Sequence, residues 1–160
     1  MLLSYLIVCA YALAIVLLHE AGHYMAAISI GVRPNRFEIG RGPVIWRKGI
    51  FVFRFFLPAG GRVNYADENW GHLTQNQVRW IALGGPIVSI LTGLVILPII
   101  PIYGLMSLFC GITNLIPFPA NHGQSDGSYV FQGAAQVWTS RLLLGTLAVV
   151  LLVCSLWMFC

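Results

Sequence analysis

The chain has 160 residues, of which 58% are hydrophobic and only 9% charged, and its mean hydropathy is +0.81. A soluble domain carries roughly a quarter of charged residues, so this composition excludes an ordinary water-solvated globule and points to a bilayer as solvent. The formal charge of +4 does not call for nucleic acid, because seven of the nine basic residues fall between Arg33 and Arg62, in a single loop.

From Met1 the chain runs to Leu18 without a charged residue, and after a short polar cluster it stays apolar from Tyr24 to Val32. A spanning helix needs about 20 such residues, so residues 1–32 are expected to form the first one. A cleaved leader begins with positive residues; the first one here is Arg33, so this helix is expected to be retained.

Residues 33–76 read as a strand-rich loop, with strands at Phe37 to Ile39, Val44 to Trp46 and Ile50 to Phe56 and a hairpin turn at Lys48-Gly49. Ile50 to Phe56 is apolar on both faces, which suits a membrane-associated hairpin and predicts an open edge that meets something else. Pro58-Ala59-Gly60-Gly61 should break that strand, and the polar stretch from Asn64 to Asn76 then leads into a second helix.

That helix occupies residues 77–100 and holds Gly84-Gly85-Pro86, which predicts a tight helix crossing or a kink. Residues 101–127 hold a shorter apolar run, Ile102 to Leu115, followed by an irregular stretch through Pro117 and Pro119 to Ser125. Irregular backbone at membrane depth lines a cavity. A short helix over 128–139 and a last helix over 140–160, with its apolar run at Leu142 to Phe159, complete the chain.

The expected fold is therefore an α-helical polytopic membrane protein of about four transmembrane helices, a three-helix core plus one. A small membrane-associated sheet lies between helices one and two, and residues 1–160 form a single domain. The positive-inside rule makes the Arg33–Arg62 loop cytoplasmic and both termini outward, and Arg141 falls on the cytoplasmic side as well. Cys9, Cys110, Cys154 and Cys160 lack paired metal-type spacing and read as small buried hydrophobes.

The chemistry is concentrated in His19-Glu20-Ala21-Gly22-His23, an H-E-x-x-H pattern on a helix. Four residues at about 100° each set the two imidazoles on one face, one turn apart, where they can share a Zn²⁺ while Glu20 reaches a water beside it. Each ionisable group at the centre of a spanning helix costs at least about 2.5 kcal/mol, and three within five residues imply a function. A catalytic zinc takes a third protein ligand; the candidates are Glu38, Asp67, Glu68, His72, His122 and Asp126. Asp126 is favoured because it follows a helix returning to the side of His19 and His23, with His122 as runner-up.

These motifs resemble the site-2 protease family of intramembrane zinc metalloproteases. His19 to His23 matches the family's zinc motif on its first core helix, Pro58-Ala59-Gly60-Gly61-Arg62-Val63 is similar to its Gly-rich segment, and Gly85-Pro86 matches a Gly-Pro on its middle core helix. Asn114-Leu115-Ile116-Pro117-Phe118-Pro119 followed by Asp126-Gly127 is similar to the third core-helix motif, whose aspartate completes the zinc site. The stretch between Pro119 and Asp126 is longer than in the family's commonest form, and Ser89 stands where many members carry Asn.

The resemblance implies an endopeptidase that cuts transmembrane proteins or peptides, with Zn²⁺ on His19, His23 and Asp126 and Glu20 as general base. Asn114 and the strand residues Phe53, Arg54 and Phe55 are the expected substrate contacts, the strand acting by β-addition to an unwound substrate. The expected setting is a bacterial plasma membrane, with the active site toward the cytoplasm, the lipid bilayer as partner and no nucleic acid. The core helices, the loop and one further helix are expected to use all 160 residues, with no PDZ or nucleotide-sensing module expected among them. A metal transporter or zinc-binding scaffold is the alternative.

Overall fold

A computed structural model describes residues 2–66, 71–117, 119–120 and 123–131. The expected last helix, most of the 128–139 helix, Asp67, Glu68, His122, Cys154 and Cys160 lie outside the described residues. Helix α1 is Leu2–Ser29, and the strand pair β1 (Pro34–Lys48) and β2 (Phe51–Tyr65) follows it. Helices α2 (Gln75–Ile96) and α3 (Pro101–Leu115), a two-residue hairpin β3 (Pro119–Ala120) and β4 (Gly123–Gln124), and the short α4 (Asp126–Val130) complete the order.

Local chemistry sets the helix ends. At the end of α1, Val32 N–H donates to Ala27 O at 3.0 Å and Gly31 N–H to Ile28 O at 3.0 Å, with Gly31 at φ +81°. This is a glycine-terminated helix cap whose paired bonds satisfy the last carbonyls. Val32 folds back on Ala27 and Ile81, with Ile30, Tyr65 and Leu73 around them. Helix α2 opens on a capping box: Thr74 Oγ1 accepts from Gln77 N–H, and Gln77 Oε1 accepts from Thr74 N–H at 2.9 Å. Helix α3 starts on Pro101 and stops at extended Ile116, which precedes Pro117; a residue before proline is steered away from helix.

At 28 and 22 residues, α1 and α2 are long and apolar enough to cross a membrane. Helix α3, with 15 residues, is about 22 Å long and falls short of the ~30 Å hydrocarbon core. Among the described residues, two helices are thus long and apolar enough to span. Pro86 lies inside α2 without ending it, and the tight crossing expected there is made with α1. A Cβ on Gly22 would lie 2.7 Å from the Gly84 carbonyl carbon, and one on Gly84 would lie 2.8 Å from Ala26 Cβ. Absent side chains are what let the two backbones meet.

The loop is more strand-rich than expected. The β2 strand continues through the Pro58–Gly61 segment to Tyr65, with register shifts along the pair. Residues Phe37, Glu38 and Ile39 lie opposite Val63, Arg62 and Gly61 on one side and Phe51, Val52 and Phe53 on the other. The latter segment also faces Lys48, Arg47 and Trp46. Ile50 to Phe56 is therefore not the open edge that its two apolar faces suggested. Phe51 to Phe53 have partners on both sides, and the outer positions fall to 44–48 and 61–65. Phe37 carries the sheet on α1, its ring 6.1 Å from Tyr24 and 5.6 Å from Phe51.

Candidate metal centre

Helix α1 places His19 and His23 one turn apart, as their spacing required, with ring centroids 4.9 Å apart. Both are buried, as is Glu20 between them in sequence. The N-terminal end of α4 brings Asp126 to the same point: its Oδ2 lies 3.1 Å from His19 Nε2 and 3.3 Å from His23 Nε2. The two Nε2 atoms are 3.2 Å apart. Among the described residues these three form a group able to hold a metal ion.

The separations test whether zinc fits. Ligand atoms held about 2.0–2.1 Å from a tetrahedral Zn²⁺ lie about 3.3–3.4 Å from one another, close to the three distances found. The far ring nitrogens are occupied: His23 Nδ1 is 2.8 Å from Ile81 O, and His19 Nδ1 is 2.9 Å from Ser89 Oγ. Ile81 O can only accept and is nearer to Nδ1 than the Gly85 N–H, at 3.3 Å, so His23 donates from Nδ1 and keeps the Nε2 lone pair for a ligand. The donor set and its spacing fit Zn²⁺.

Backbone walls this centre. A Cβ on Gly85 would lie 2.7 Å from His19 Nε2, and one on Gly61 would lie 2.9 Å from Glu20 Oε1. The Val63 N–H donates to the Glu20 carboxylate, which places the 61–65 strand against that side chain. Burial pushes the Asp126 carboxyl up, but its bonds to His19 and His23 outweigh burial and hold it below the ordinary carboxylate range. Burial, with the Glu20 and Asp126 carboxylates, raises the Tyr65 phenol. Ser125 Oγ donates to Ile116 O at 2.8 Å, tying the start of α4 to the end of α3.

Of the other ligand candidates, Glu38 sits on β1 in ion pairs with Arg36 at 3.0 Å and Arg54 at 3.3 Å, and His72 is in an exposed turn. Burial pushes Glu38 up, yet the two guanidinium groups bring its pKa below the ordinary value. Arg54 is further held by Gly42 O at 2.8 Å, Phe53 packs on Trp46 with ring centroids 5.4 Å apart, and Phe55 is exposed. Asn114 Nδ2 donates to Cys110 O at 2.9 Å, within its own helix. Cys9 and Cys110 are half-buried free thiols. The sequence marked Gly61 and Val63 only as part of the segment similar to the family's Gly-rich one and did not single out Tyr65; their place beside Glu20 comes from contact across the fold.

Comparison with known proteins agrees with the motifs. The sequence profile of Peptidase family M50 matches residues 7–103. The chain is 29% identical over 119 residues to protease RseP of Yersinia pestis, covering 64% of this chain and 26% of that protein. It is 38% identical over 71 residues to a Nostoc sp. protein assigned as a zinc metalloprotease, covering 42% and 19%. With the regulator of sigma-E protease RseP of Escherichia coli it shares 38% over 58 residues, covering 34% and 13%. The chain thus spans about a quarter or less of the length of these relatives. With the His19–His23 motif, the sheet and the second helix inside the matched span, this membrane protein belongs to Peptidase family M50.

Proposed function

We propose that the chain is the catalytic unit of a zinc-dependent intramembrane endopeptidase, which hydrolyses peptide bonds within or near transmembrane segments of membrane proteins. The observation that carries this reading is the meeting of His19 Nε2, His23 Nε2 and Asp126 Oδ2 at 3.1–3.3 Å, beside the buried Glu20. When bound, Zn²⁺ supplies a Lewis acid and brings the pKa of water toward about 7.

Glu20 takes the proton from the attacking water and returns it to the leaving amine. His19 and His23 are held for ligation by Ser89 Oγ and Ile81 O, and Asp126 supplies the charge that completes the donor set. A substrate helix hides its amides in its own hydrogen bonds and must unwind before attack. The outer strand 61–65 is the surface on which an unwound segment pairs, because Val63 already touches the general base. Asn114, half-buried near the end of α3, is the further substrate contact, and Phe55 remains available to an apolar side chain.

The proposed setting is a bacterial plasma membrane with about four spans in one domain and the metal centre toward the cytoplasm, the side to which the basic loop is assigned. The test is cleavage of single-span substrates, one of them already shortened by an earlier cut, by the wild type and by Glu20→Gln with bound zinc quantified in both. Zinc in both with cleavage only by the wild type supports the peptidase. Zinc in both with no cleavage by either moves the reading to a metal-binding scaffold or transporter.

A further inference from the structure

A line of hydrogen bonds crosses all three core helices at the level of the metal centre. Ser107 Oγ on α3 donates to Ser89 O on α2 at 2.8 Å, and Ser89 Oγ lies 2.9 Å from His19 Nδ1 on α1. Both serines are 1% exposed. A serine inside a helix commonly turns its hydroxyl back to its own preceding turn; that of Ser89 instead reaches the imidazole of a neighbouring helix. Its reach is short, and it succeeds because α1 and α2 touch through Gly22 and Gly84. Among the described residues the Cys110 thiol also lies near this nitrogen, at 4.0 Å, and bonds the Ser89 side chain; sulfur is a weaker acceptor than the hydroxyl.

We infer that Ser89 is a positioning residue for the metal centre: its hydroxyl accepts from His19 Nδ1 and fixes the ring's tautomer and orientation, while Ser107 holds the Ser89 main chain through its carbonyl. The inference rests on the proposed zinc ligation by His19. It gives Ser89 a function where the sequence showed only a departure from a commoner asparagine. A hydrogen-bond partner on the far nitrogen of a ligating histidine typically contributes roughly 10- to 100-fold in metal affinity. Ser107 acts one link further out, so its effect should be smaller.

The test measures zinc affinity of the purified full chain in detergent by competition with a chromophoric chelator. The variants are Ser89→Ala and the shape-matched pair Ser89→Thr, which keeps the hydroxyl, and Ser89→Val, which lacks it. Ser89→Ala should bind zinc roughly 10- to 100-fold more weakly than the wild type, and Ser89→Val should be weaker than Ser89→Thr by a similar factor. Equal affinities within the Thr and Val pair overturn the inference, and that pair decides even if Ser89→Ala does not fold. A wild-type chain that binds no zinc overturns the underlying ligation instead, which separates the two failures. A Ser107→Ala variant that loses more affinity than Ser89→Ala reverses the order of the line and also counts against it.

Discussion

The two ends of α1 share one helix but differ in composition and live in opposite surroundings. From Leu2 to Val8 the large apolar side chains are exposed, Leu2 at 74%, whereas from His19 to Ala27 the buried set includes His19, Glu20 and His23, with Ala27 fully buried. In water this arrangement would be inside out. In a bilayer the apolar end faces lipid at no cost, while the ionisable end is enclosed by other helices and by the sheet. Hydrophobicity alone says little about burial here; the polar residues mark the interior.

The contrast can be broken most sharply at its charged end. Glu20→Gln removes the proton acceptor and should lower cleavage by about 10²- to 10⁴-fold, with zinc still bound; stoichiometric zinc with undiminished turnover would sink the role given to Glu20. Next comes Gly85→Ala, whose Cβ would press on the His19 ring at 2.7 Å from Nε2. Roughly a tenfold loss of zinc affinity is expected, the lower end of what disturbing a ligand's support causes, read by chelator competition.

A proline at Val63 takes away the N–H that touches Glu20 and disrupts the outer strand. It should reduce kcat/KM several-fold while leaving zinc in place, on the order of 1 kcal/mol. Arg47→Pro, on the other outer strand, should do less, and equal effects would mean that neither edge is special. The smallest effect belongs to the lipid-facing end: Leu3→Ala should change thermal stability by no more than about 0.5 kcal/mol, and a larger loss would show that this end has a protein partner.

What the sequence made legible divides along the same line. The one-face placement of the two histidines followed from helical periodicity, which is local; Asp126 was favoured on a membrane topology whose third crossing the 15-residue α3 is too short to make, and it reaches the histidines through the fold instead. The helix ends were read less closely: residues 1–32 and 77–100 were expected, and the helices run Leu2–Ser29 and Gln75–Ile96, set by Gly31 and by the Thr74 capping box. The sheet was harder to read. Ile50 to Phe56 looked like an open edge because both its faces are apolar, but strand order depends on which segments meet across the loop, and Phe37 to Ile39 take up one side of it. Ser89 was visible only as an unusual residue, since its importance comes from lying 2.9 Å from a histidine 70 positions away.

The close approach of backbone to the centre, through Gly61 at Glu20 and Gly85 at the imidazoles, limits how such an enzyme can diversify. A pocket lined by large side chains can be widened by trimming them, as a hydrophobic specificity pocket is. A pocket whose walls are already bare main chain has nothing left to trim, and any substitution there can only narrow it. In the proposed peptidase, variation in what is cut would therefore come from residues farther along the sheet and from the helix ends.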